Sequence, residues 1–142
     1  MPYSSDLEIE TLVIQFENRT LPKSLWTHEA HLTVGMHYLY RFNFFEALCY
    51  MKSNIITYNV ASGGANTSTG GYHETLTVFW LKVLEKFLNE RRDQPLYKIC
   101  NDFIESPFAK KDLPATYYSK EKLFSIEARS MWLEVNIEEL KN

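Results

Sequence analysis

The sequence predicts an all-α protein, a single-domain bundle of about six helices spanning residues 1–142. Three observations predict it. Apolar residues recur at three- and four-residue spacings through most of the chain, and no convincing pair of alternating runs suggests strands. Residues that cap helices stand just ahead of these runs. The connections are short, which favours antiparallel neighbours.

The elements follow in order. Ser5 can cap a first helix over about 6–18, with Leu7, Ile9, Leu12, Val13 and Phe16 apolar. Leu21-Pro22 lies in the connection. Thr27 is a good N-cap for a second helix, about 28–42. Asn43 with Glu46 three residues on makes a capping-box start for a third, about 44–60. Residues 61–72 read ASGGANTSTGGY, too polar and glycine-rich for a helix or a strand, and hold four of the five glycines. A fourth helix runs from about His73 to Arg91, and Pro95 opens a fifth with Leu96, Ile99, Cys100 and Phe103. Pro107 and Pro114 bracket a second loop. Ser119 and Ser125 can cap short helices, and Asn136 a last turn.

At 45% hydrophobic and 15% aromatic, 142 residues suit one packed domain, which excludes disordered and collagen-like classes. Fifteen Lys and Arg against 18 Asp and Glu leave a net charge of −3, no footprint for nucleic acid or an anionic membrane. No apolar run is long enough to span a membrane, and Met1–Glu10 shows no basic leader. Cys49 and Cys100 stand far apart, outside any CxxC pattern, and read as reduced thiols of a cytoplasmic protein, with Cys49 a small buried filler. Aromatic residues left outside the core would suit a homodimer face.

The histidines depart from a plain bundle. With His28 at zero on a helical wheel, Leu39 falls at about 20°, Leu32 at about 40° and Gly35 at about 340°, so His28 lies within the apolar stripe. His31, at about 300°, flanks it, whereas His37 points away at about 180° and is expected to be exposed. With His73 at zero, Leu84 falls at about 20° and Trp80 at about 340°, so His73 also faces inward. An up-down-up order makes the second and fourth helices parallel. His28, His31 and His73 are then expected at one end, beneath the glycine-rich loop.

The segments Trp26-Thr27-His28-Glu29-Ala30-His31-Leu32 and Gly71-Tyr72-His73-Glu74-Thr75-Leu76-Thr77 resemble the signature segments of a bacterial family of uncharacterised small helical proteins. Tyr58-Asn59, Asn66-Thr67 and a tail with Tyr118-Ser119, Leu123-Phe124-Ser125, Ala128-Arg129 and Trp132 are similar to it too. Val135-Asn136 departs from the Pro-Asp-like pair expected there. The family has no established activity, so the resemblance implies a shared fold and site rather than a reaction.

Three readings of the histidines stay open. His28, His31 and His73 can be metal ligands; imidazole suits zinc, nickel and iron alike. Glu74 or Glu29 would then be a fourth ligand or serve as acid/base in an enzyme acting on a small molecule, Glu74 preferred as the acid/base because it adjoins the loop. His-Glu-Ala-His is one residue short of the zincin motif, so that mechanism does not transfer. In the second reading the helix N-termini favour an anionic small-molecule ligand without metal, with Asn66, Thr67 and Tyr72 as binding groups. In the third the histidines are structural, and the protein serves interactions. Arg129 can reach a carboxylate such as Glu74 or lie at the surface.

Overall fold

The structure, a computed structural model, describes residues 2–137. Among these it is all-α and has no strand. The five long helices are α1 (Asp6–Glu17), α2 (His28–Arg41), α3 (Phe44–Ala61), α4 (Glu74–Asn89) and α5 (Leu96–Glu105). Three short ones follow: α6 (Pro114–Tyr117), α7 (Lys120–Leu123) and α8 (Ile126–Ser130). Single 3-10 turns occupy Lys23–Leu25 and Pro107–Ala109. The last turn expected from Asn136 lies mainly outside the described residues.

Local chemistry sets the boundaries. Thr27 Oγ1 accepts the Ala30 amide at the start of α2. Asn43 and Glu46 form a full capping box on α3. Ser119 and Ser125 cap α7 and α8 through the Lys122 and Ala128 amides. Two expectations are corrected. Ser5 makes no side-chain cap on α1; Ser4 instead hydrogen-bonds to Glu8 through its backbone and hydroxyl. His73 is not the first residue of α4 but its N-cap, with extended backbone.

Helix α2 is the axis of the fold. It packs against α1, α3, α4 and α5, and every residue from Leu32 to Leu39 is buried. This overturns the exposure expected of His37, which is 8% exposed. The wheel argument assumed one apolar face, but a central helix is covered on all sides. The far side of α2 meets α1 and the N-terminal arm, where the Tyr3 hydroxyl hydrogen-bonds Thr33 Oγ1 at 2.9 Å. The arm is fixed by the buried Asn101. Its side chain accepts the Tyr3 amide at 3.0 Å and donates to the Tyr3 carbonyl at 2.8 Å, standing in for a backbone partner. Cys49 is also corrected: it is exposed, on the outer face of α3, while Cys100 is buried.

Helices α2 and α4 pack side by side in the same sense, since their contacts climb together. The His28 ring meets Trp80 edge-on with centroids 5.1 Å apart, and Gly35, two turns further along α2, meets Leu84, one turn beyond Trp80. A β-carbon on Gly35 would stand 2.9 Å from Leu84 Cδ1, so the missing side chain admits the close crossing.

Candidate functional site

A cavity of about 1040 Å³ opens where α2 and α4 begin. Its floor is apolar: Leu32, Gly35, Met51, Ile55, Leu81 and Leu84. Trp26, Trp80, Tyr72 and Tyr118 supply aromatic walls, and the segment from Lys111 to Leu123 covers one side. All three inward histidines line it, as does the end of the glycine-rich loop through Gly71 and Tyr72.

Each histidine is fixed by a backbone carbonyl, and a carbonyl can only accept, so the facing nitrogen carries the proton. His28 Nε2 donates to the Ala109 carbonyl at 2.8 Å. His31 Nδ1 donates to the Thr27 carbonyl at 2.7 Å, and its ring stacks on Trp26 with centroids 3.8 Å apart. Trp26 in turn stacks on Phe16 at 4.2 Å, which braces the His31 ring from behind. His73 uses both nitrogens: Nε2 donates to the Leu123 carbonyl at 2.8 Å, and Nδ1 accepts the Leu76 amide at 3.1 Å.

The His31 and His73 rings are held neutral. Burial pushes His31 down to about 4, against the help of the Thr27 carbonyl, and the neighbouring His28 and Lys111 charges lower it further. Burial, aided by Arg129, also lowers His73. Two imidazole nitrogens, His28 Nδ1 and His31 Nε2, remain without a backbone partner. Among the described residues no group of three or more His, Cys, Asp or Glu is placed to hold a metal ion.

The other expected site residues are placed differently. Glu74 and Glu29 do not line the cavity. Glu74 Oε1 accepts the Tyr72 hydroxyl at 2.6 Å and pairs with Lys52 of α3 at 3.3 Å; Glu29 is exposed. Asn66 and Thr67 organise the loop from within. Asn66 accepts the Asn59 side chain and the Tyr72 amide, each at 2.9 Å, and donates to the Ile56 carbonyl at 3.0 Å. Thr67 Oγ1 accepts the Gly70 amide at 3.0 Å. Gly71 sits at φ +80°, and a β-carbon there would stand 2.3 Å from the Ala65 carbonyl oxygen, so only glycine closes this turn. Tyr72 alone of the three binding candidates reaches the cavity wall. Arg129 does not pair with Glu74; it donates to the Gly71 carbonyl at 2.9 Å and secures the loop's end.

Sequence reasoning missed the cover. Lys111, which is exposed, and the buried Tyr118 both line the cavity. Trp26 lay in a segment already singled out, but its bracing of His31 depends on Phe16, which is distant in sequence. No family model, curated protein or solved structure matches this chain.

Proposed function

We propose that this protein binds a small organic molecule of largely apolar surface in the cavity between α2, α4 and the C-terminal cover, and does so without a metal ion. The observation that carries this reading is the cavity itself. At about 1040 Å³ it is at the upper end of small-molecule sites, and its apolar floor is joined to a few fixed polar groups. The donor set argues against a three-histidine metal site, because both nitrogens of His73 are already engaged, by the Leu123 carbonyl and the Leu76 amide. The histidines serve as latches. His28 and His73 tie the starts of α2 and α4 to Ala109 and Leu123, the two flanks of the cover.

Uptake of the neutral dye Nile red tests the proposal. The wild-type protein is expected to bind it with a blue-shifted, enhanced emission. Ala115→Trp, at an exposed position in the cavity wall, is expected to weaken uptake at least about tenfold with unchanged helical circular dichroism. Equal uptake by both proteins would place the dye elsewhere and sink the reading. Elemental analysis of untagged protein is expected to find less than about a tenth of an equivalent of zinc, nickel or iron. A stoichiometric metal would return His28, His31 and His73 to the role of ligands.

A further inference from the structure

We propose that the occupant of the cavity is an amphipathic acid: an apolar, ring-sized body bearing one carboxylate, with its head at the Trp26–His31–Lys111 end. This rests on the small-molecule reading above and names the ligand's chemical class. Among the described residues, the charged side chains that line the cavity are Lys23, Lys111 and Lys120 with Asp112, on a protein whose net charge is −3. The positive excess at this mouth therefore runs against the sign of the whole molecule.

The Lys111 charge bears on the His31 ring and that of Arg129 on the His73 ring. The first turns of α2 and α4 open at the same place and add their positive dipole ends. An anion entering here meets three lysines against one aspartate among the described lining residues. The floor of Leu32, Met51, Ile55 and Leu84 takes the body, and the rings of His31 and Trp80 border it. Lys23 and Lys111 are exposed, so they can keep their charge and still reach a carboxylate at the rim.

The test compares 2-naphthoate with 2-naphthylmethanol, its uncharged alcohol, as competitors of Nile red. The acid is expected to displace the dye about tenfold more tightly than the alcohol at low salt, with the ratio shrinking in about 0.5 M sodium chloride. In the double variant Lys23→Gln, Lys111→Gln the acid-to-alcohol ratio is expected to fall to within about threefold. Lys98→Gln, on the exposed face of α5, is expected to leave the ratio as it was. An alcohol that competes as well as the acid in the wild type, or a ratio unmoved by the double variant, overturns the proposal while the cavity reading stands. Failure of both competitors, with dye uptake indifferent to Ala115→Trp, overturns the cavity reading as well.

Discussion

The imidazole of His73 joins α4 to Leu123, fifty residues further along the chain, by a hydrogen bond of 2.8 Å to the Leu123 carbonyl. The same ring caps α4 through the Leu76 amide. His73→Ala loses a cap, worth about 1 kcal/mol, and strands a buried carbonyl, worth about 1–3 kcal/mol more. Urea titration is expected to show a loss of about 2–4 kcal/mol. His73→Asn, which can cap but is too short to reach Leu123, should recover only the smaller part. A loss under about 0.5 kcal/mol for the alanine variant would mean the latch is not formed.

Acid should unfold the protein through its histidines. His31 and His37 are both pushed down to about 4 by burial, and His73 is lowered as well. An unfolded chain takes up protons near 6.5, before the native rings do. Stability is therefore fully present above about pH 6.5 and falls as the pH drops from there towards 4, by up to about 1.4 kcal/mol per pH unit for each ring. Denaturation midpoints measured from pH 8 to 4.5 check this. A flat profile would show that the rings are wetter than the structure has them.

His37 gives that experiment an internal control. Its buried Nδ1 has no hydrogen-bond partner. His37→Leu removes the desolvated nitrogen and one of the three titrating rings. The variant is expected to be at least as stable as wild type at pH 7 and to lose stability less steeply below pH 6.5. A variant more than about 1 kcal/mol less stable at pH 7 would instead assign the ring a packing role.

Two glycines should respond in opposite ways to alanine. At Gly35 the new β-carbon meets the far end of Leu84, a side chain that also borders the cavity and has room to turn into it. The gain in helix propensity, about 1 kcal/mol, offsets the contact, so Gly35→Ala should stay within about 1 kcal/mol of wild type but take up less Nile red. At Gly71 the β-carbon meets backbone at 2.3 Å, with φ in the left-handed region. Gly71→Ala should cost about 2 kcal/mol or more. Equal costs at the two sites, read by urea titration, would contradict the geometry.

Glu74→Gln separates a structural carboxylate from a chemical one. The amide oxygen can still accept the Tyr72 hydroxyl, and only the half-exposed pairing with Lys52 is lost. The expected change is at most about 1 kcal/mol in stability, with naphthoate affinity within about twofold of wild type. A larger fall in affinity would bring Glu74 back to the cavity.

Much of this was legible in the residues. Thr27, Asn43-Glu46, Ser119 and Ser125 announced helix starts because a cap is a local event. The inward faces of His28 and His31 followed from helical spacing, which packing against a neighbour preserves, whereas His73 reaches the cavity as the extended cap of α4 rather than as a helical residue. His37 was misread because the number of neighbours around α2 is a property of the whole fold. Glu74 sits beside a cavity-lining histidine in sequence, yet its carboxylate is drawn aside by Lys52 on another helix. The cover was illegible: Ala109 and Leu123 contribute carbonyls, which every residue has, so no residue type marks them.

The two latches span 81 and 50 residues. As the chain leaves the ribosome, α2 and α4 are complete before the residues that carry the Ala109 and Leu123 carbonyls have been made. Contacts of such long separation are the slow ones, since the loop between them must first be closed. Until then the apolar floor is an open groove facing water, the kind of surface on which unfinished chains associate. Sealing is thus the closing step of assembly, and a molecule that fits the groove can be enclosed while the protein is being made as well as admitted afterwards. Its presence during expression would then raise the yield of folded protein, an effect of timing that equilibrium binding to the finished fold does not report.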